Sequence, residues 1–438
     1  MKKIMSLIVA ISMICLSGCT TFLKQPENNL YDDTAAVNSL LIQLESDINQ
    51  SEENKENTSS VFENESQNTN AEQSDKPNDS VDEDAQNIEI QNVKQAEIKT
   101  DDNQPLYYTH LTDEQKQIYR YMKTAADKMI EGYFSIGASS SEDERFSDIA
   151  ISYRALLCDC PEMFWLSSSY VVSTDGSAIA FSYADEDIDY IMTPEQKNAA
   201  QGEIESIIDK IVSYANTLSN NFEKELFFHD WLCKSIKYVD SKKESDHTVY
   251  GAFIERSAVC EGYSRAMQIL CRRVNIPCMV VYGSSFGNSH MWNIINPGDG
   301  WYHLDVTWDD DEKYNYIRHA YFNVNDSEFF KDHEIFEQVD PDENYFSGDE
   351  FNIYNYKCEL DNYNYFVKTK LIFTSDYLTN AKMIKQAAKS GRNNLEVYYS
   401  GDDYVEFLNE INVALANSGS KVWLNDYSYL GSSLVVCW

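Results

Sequence analysis

Basic residues are scarce in this chain. Its 438 residues hold 35 Lys and Arg against 72 Asp and Glu, a formal net charge of -37. That balance argues against nucleic acid as a partner and leaves no positive face for anionic lipids. Acidity of this kind speaks to solubility and identifies no substrate. Long apolar runs are also missing: the longest, Ile4 to Leu16, is too short to span a bilayer comfortably. No glycine-rich nucleotide loop follows a strand in the region that carries the chemistry, and no cofactor or metal is expected. The ten cysteines show no dense, regular spacing that would demand a disulfide framework. Cys158-Asp159-Cys160 has one intervening residue where a redox pair wants two, so it reads as a turn with ordinary thiols. Cys271 and Cys278 read as small buried apolar side chains.

The N-terminal residues support an address. Lys2 and Lys3 precede the apolar stretch, and Leu16-Ser17-Gly18-Cys19 closes it. Small residues before a cysteine resemble the bacterial lipoprotein signal. Cleavage would remove 1–18, Cys15 included, and leave a lipid on Cys19. The expected location is extracytoplasmic, with the membrane reached through that lipid. A tether is expected over 19–105. Its stretch from about Glu45 to Gln104 is rich in Asn, Glu, Ser, Gln and Asp, with bases only at Lys55, Lys76, Lys94 and Lys99. It carries too little apolar surface to offset ordering entropy. A short helix is expected around Ala35 to Leu44.

Folding resumes near Leu106. Hydrophobic composition of 43% is ample for a core. Thr112-Asp113-Glu114-Gln115 forms a capping box, and a second helix is expected from Phe146 to Leu157. Thr174-Asp175-Gly176 marks a hairpin. Thr193-Pro194-Glu195 starts a long helix and another runs from about Asn221 to Ile236, carrying His229. A loop over 246–252 leads to a helix beginning near Cys260. Cys278 to Tyr282 is a strand and Gly283 to Ser289 a loop. Beyond Phe351 the expected order is a strand at 366–373, a helix at 381–388, strands at 395–399 and 422–424, a helix at 404–417 and a strand at 434–437. Alternation of this kind favours a small α/β lobe.

The chemistry sits between these regions. Cys260 falls in the first turn of its helix, where backbone N–H groups and the dipole favour a thiolate and can hold an oxyanion. Gly262 leaves room near the sulfur. Downstream, Asn296-Pro297-Gly298-Asp299-Gly300 is a strong turn. Folding the chain there pairs residues whose numbers sum to about 595–597, which sets His290 opposite or diagonal to Asp305. Asp305 then orients the imidazole, and His290 takes and returns the thiol proton. His290 shares a face with Trp292 and Ile294. A one-residue slip would turn Asp305 away. His303 shares the face of Asp305 and competes as the imidazole, without an obvious partner acid. Asp309, Asp310 and Glu312 read as a solvated acidic loop. Trp292, Trp301 and Trp308 are candidate cleft walls, with Tyr250 and His247 as candidate pocket residues.

The segments V-C-E-G-Y-S-R-A, H-M-W-N and W-Y-H-L-D-V-T-W-D-D resemble the transglutaminase-like superfamily, particularly its bacterial secreted and lipoprotein members. The upstream F-H-D-W-L-C-K-S-I-K-Y resembles the helix before that family's nucleophile. The likeness covers about Asn221 to Asp311. It implies an α+β fold: a papain-like core over 221–345, a helical and hairpin region over 106–220, and the C-terminal lobe over 346–438. It implies Cys260 as nucleophile, His290 as base and Asp305 as orienting acid, acting on amide bonds through a thioester. Substrates would be envelope proteins or peptidoglycan peptides. Crosslinking, hydrolysis by a surface peptidase and a non-catalytic envelope-binding role share these residues.

Overall fold

The computed structural model describes residues 37, 39–46, 48, 107–137, 142–182, 189–239, 243–310, 316–335, 356–401 and 403–438. The expected signal at 1–18, the expected lipid site Cys19, most of the expected tether and Glu312 lie outside the described residues. Among those described, no helix is long and apolar enough to cross a membrane. Residues 37, 39–46 and 48 are helical, where a short helix was expected. Val37, Leu41, Leu44 and Ile48 recur at helical spacing and are buried in the hydrophobic core.

Local chemistry accounts for the helix starts. Thr112 accepts from the Gln115 backbone while the Gln115 side chain accepts from Thr112, opening the helix Asp113–Lys128. Thr193 and Gln196 repeat the device for Pro194–Ala215, with Pro194 in the first turn. Asn220 caps Asn221–Ser235. The second helix, Glu142–Asp159, runs longer at both ends than the sequence suggests. Its last residue, Asp159, accepts from the backbone of Tyr107 and Tyr108, so the acid between the two cysteines is a structural tie. Cys158 and Cys160 are buried free thiols.

The strands are, in order, β1 Phe134–Ser135, β2 Val171–Val172, β3 Ala178–Ala180, β4 Lys237–Tyr238, β5 Ser257–Ala258, β6 Cys278–Ser285, β7 Asn288–Ile295, β8 Tyr302–Leu304, β9 His333–Ile335, β10 Asn394–Tyr398, β11 Asp426–Leu430 and β12 Ser433–Cys437. The first three form one small sheet, with the expected β2–β3 hairpin. The site rests on an antiparallel sheet in the order β8-β7-β6-β9, against which the helix Cys260–Arg273 packs.

Several expectations are corrected. The loop over 246–252 is largely a 3-10 turn, Glu244–His247, and a π-helical turn, Gly251–Glu255. The loop over 283–289 is mostly strand, because β6 and β7 continue to a two-residue turn at Phe286 and Gly287, both at positive φ. Gly283 belongs to the sheet: a Cβ there would come 2.1 Å from the Glu334 carbonyl oxygen and 2.4 Å from the Trp292 ring. Gly262 makes room for the Asp246 carbonyl, 2.6 Å from where its Cβ would stand, rather than for sulfur.

The C-terminal lobe departs furthest. Its strands run antiparallel in the order β10-β12-β11, with the helices Tyr377–Lys389 and Tyr404–Asn417 packed together, so it is α+β in kind. The expected strand at 366–373 is the short helix Tyr365–Thr369, capped by Asn364, followed by one bridge from Ile372 to Tyr398. The strand expected at 422–424 is absent because Asn412 takes both backbone bonds of Leu424.

Gly283→Ala should lower stability by about 1–3 kcal/mol, the range for overpacking a filled interior. The check is the urea midpoint, and an unchanged midpoint would show that β9 and Trp292 can yield.

Candidate active site

Cys260 opens the helix Cys260–Arg273, and Val259 before it has extended backbone and supplies no side-chain cap. The first-turn N–H groups therefore lack intrahelical acceptors and point toward the thiol end. Cys260 is half-buried. Glu261 beside it is buried and turned inward, accepting from Arg265 (2.5 Å), His247 (2.9 Å) and Tyr282 (3.0 Å). Burial pushes its carboxyl up, but Arg265 and His247 outweigh that and hold it at about 2. His247 is thus engaged by Glu261.

His290 stands on β7. The register is Asn293–Leu304, Ile294–His303 and Ile295–Tyr302, the largest of the sums the turn was expected to allow. That parity sets Asp305 across from Trp292 and diagonal to His290, on one face. His290 Nε2 lies 2.5 Å from Asp305 Oδ2, and the Cys260 thiol lies near enough to act on the charge of the same imidazole. Burial works against an imidazolium here. Asp305, and then the thiol, overcome it and raise His290 to about 10. The Asp305 carboxyl is itself penalised by burial, yet His290 and His333 hold it well below the usual carboxylate range.

Asp305 owes its position to a second role. It sits just past β8 and caps the short helix Val306–Asp309, its Oδ1 accepting from the Trp308 backbone at 3.1 Å. Capping holds the carboxylate in one orientation and leaves Oδ2 for imidazole.

The other expected residues divide. Trp308 is half-buried, presents an edge to His290 with ring centroids 6.3 Å apart, and packs on Phe286, which is 64% exposed. Trp292 is 0% exposed and stacks behind His290 at 6.1 Å, so it holds the imidazole and does not line a substrate pocket. Tyr250 stacks on Phe164, and Trp301 packs on Tyr356; neither is in the Cys260–His290–Asp305 group. His303 accepts from Trp292 Nε1 (3.1 Å) and pairs with Asp326 (2.9 Å), the acid that spacing did not reveal. Burial lowers its basicity. His303 is therefore committed to supporting Trp292.

The acidic run is not a solvated loop at its start. Asp309 is 0% exposed, takes the Tyr321 backbone N–H and meets His229 Nε2 at 3.2 Å. Asp310 accepts from Tyr263. His229 continues through Asp230 to His319, and His319 bonds Glu396 of β10 at 2.8 Å, tying core to lobe.

Sequence reasoning missed His333. Its Nε2 lies 3.1 Å from Asp305 Oδ2 and its Nδ1 2.7 Å from Asp332. It lies 28 positions past Asp305 on the opposite edge of the sheet, and no local pattern announces it. Donors also converge within 4.8 Å at His229, Asp230 and His319, at His290, Asp305 and His333, and at His303, Asp326 and Cys358. Hydrogen bonds or charge interactions within each group already engage these donors.

Residues 209–306 match the transglutaminase-like superfamily. No curated protein matches the chain. Among solved structures, a Cytophaga hutchinsonii protein provisionally described as a cysteine protease is 21% identical, with a TM-score of 0.22 over 24% of this chain and 37% of that one. A structure described as a TGase is 15% identical, with a TM-score of 0.25 over 40% of this chain and 50% of that one. The chain thus spans half or less of each of these proteins. The matched segment carries Cys260, His290 and Asp305, and the link is a distant one to the transglutaminase-like superfamily.

Asp305→Asn removes the charge that overcomes burial, so His290 should fall from about 10 to below its ordinary ~6.5. Ring 15N shifts read this directly, and a titration still near 10 would locate the cause elsewhere. A raised imidazole stabilises the fold fully below ~6.5 and loses that contribution as pH rises through about 10. The stability lost in Asp305→Asn should accordingly be greatest near pH 6, shrink as pH rises from ~6.5, and be gone above about pH 10.

Proposed function

We propose that this chain is a cysteine enzyme that acts on amide bonds through a thioester acyl-enzyme. The observation that carries the reading is the run Cys260–His290–Asp305, with the thiol at a helix start and the imidazole bonded to a buried carboxylate and raised by both that carboxylate and the thiol. Cys260 thiolate attacks the carbonyl carbon, and the C=O electron pair moves to oxygen. First-turn N–H groups of the Cys260 helix are placed to stabilise that oxyanion. His290, holding the thiol proton, delivers it to the amide nitrogen as the C–N bond breaks. Ammonia or an amine leaves and a thioester remains. A second nucleophile then loses its proton to His290 and restores the thiol: water yields hydrolysis, and a primary amine yields a new amide.

The substrate class is an envelope protein or a peptidoglycan stem peptide, reached from the outer face of the membrane by a lipid on Cys19. The sequence Leu16-Ser17-Gly18-Cys19 and the acidic stretch after it support that placement. Phe286 and Trp308 would flank the scissile amide.

A thiol-directed electrophile should label Cys260 ahead of the other cysteines, and His290→Ala should slow that labelling by more than tenfold. Equal labelling of Cys260 and Cys437, the other half-buried thiol among those described, would leave a binding role as the better reading. Mass spectrometry of a glutamine-containing peptide library with a primary amine then separates amine adducts, ammonia release and backbone cleavage. Cys260→Ser should abolish whichever product forms.

A further inference from the structure

The observations reach furthest at His333, a buried imidazole that the mechanism above does not use. It begins β9, opposite Ser285 of β6, and is 3% exposed. Both of its nitrogens face carboxylates: Nε2 to Oδ2 of Asp305 at 3.1 Å and Nδ1 to Oδ1 of Asp332 at 2.7 Å. A neutral imidazole has one N–H, and an ionised carboxylate only accepts. His333 can make both bonds only by carrying both protons, as a cation.

The surroundings agree with that state. Tyr321 donates to the other oxygen of Asp332 at 2.6 Å, and its ring lies 5.1 Å from that of His333. His290 lies 5.6 Å away, centroid to centroid. His303, beyond Phe329, is the remaining titratable neighbour. Trp292, Trp308 and Phe329 complete the walls and bring no charge. Burial opposes the cation, and Asp305 and Asp332 together outweigh it.

We propose that His333 is a positioning residue, a fixed cation behind Asp305 that orients the shared carboxylate and limits how strongly it holds the proton on His290. The proposal rests on the reading of Cys260 and His290 as nucleophile and base. In the row Asp332, His333, Asp305, His290 and Cys260 thiolate, charges alternate in sign. A positive charge at the second place favours both the thiolate and the neutral imidazole. Asp305 alone would fasten the proton to His290 more tightly; with half its charge answered by His333, the proton is easier to pass to a leaving nitrogen. Removing the cation should therefore make the Cys260 thiolate harder to form and the His290 proton harder to release, so that both steps move to higher pH. At 5.6 Å between rings, with Asp305 between them, the expected displacement is about one pH unit.

Two variants of the full chain test this. His333→Gln keeps an N–H for Asp305 but carries no charge. Asp332→Asn keeps His333 and weakens its hold on the second proton. Two readouts apply: the pH midpoint at which Cys260 alkylation by iodoacetamide accelerates, and the 15N titration of the His290 ring. In His333→Gln both should move up by about one unit, and in Asp332→Asn by less in the same direction. A slower alkylation at every pH with an unmoved midpoint would assign His333 a packing role only and overturn the proposal, while the enzyme reading stood. If Cys260 is not labelled selectively in the parent chain, the enzyme reading fails. The His290 titration still decides the matter of His333, an upward shift supporting the charge arrangement and no shift overturning it. Should His333→Gln fail to fold, Asp332→Asn carries both readouts.

Discussion

One carboxylate governs the site. Asp305 closes β8, caps the helix that follows, and presents its remaining oxygen to His290 and His333. Each role restrains the others. The cap sets the carboxylate plane, and the plane sets the imidazole. Breaking a buried charged pair of this kind costs about 3–5 kcal/mol, because the partner is left charged without solvent. The geometry is therefore held by the same forces that hold the fold.

That pattern extends through the molecule. Of the seven histidines, all but His110 sit against a carboxylate. A chain so rich in acids carries some of them into its interior, where bases are few. Imidazole suits such an interior because it meets two carboxylates at once and brings a compact, largely apolar ring. Asp230, His319 and Glu396 use the arrangement to join the core to the C-terminal lobe, with Arg318 reaching Ser428 and Ser433 beside them. The lobe is thus fastened by buried polar bonds that need both partners.

Aromatic packing supplies the second restraint. Trp292 lies flat behind His290, is pinned through its indole N–H by His303, and presses on Gly283 of the neighbouring strand. His303 is pinned in turn by Asp326 and stacks on Phe329 at 4.1 Å. The catalytic-type imidazole is held by a layer of rings whose own polar atoms are all spoken for. On the other side His290 meets the edge of Trp308, which packs on the exposed ring of Phe286.

Much of this was legible in the residues alone. Thr112 with Gln115, and Thr193 with Pro194, mark helix starts because capping is a matter of three or four residues. The turn at Pro297–Gly300 and the period of two brought His290 and Asp305 to one face, since register parity follows from where a hairpin bends. The mixed α+β character was what the likeness of the Cys260, His290 and Asp305 segments implied, whereas local alternation alone favoured an α/β lobe. What they could not decide was everything set by distant chain segments. His333, Asp326 and the burial of Asp309 depend on which strands and turns the tertiary fold lays beside β8. The Gly283 loop reading failed because that glycine answers to Trp292 and Glu334, not to its neighbours. In the lobe, Asn412 took the backbone bonds that would have made 422–424 a strand. Short-range stereochemistry determines elements and the parity of their faces. Only closure of the whole chain determines which charges meet, and at this site that selects the second imidazole on Asp305.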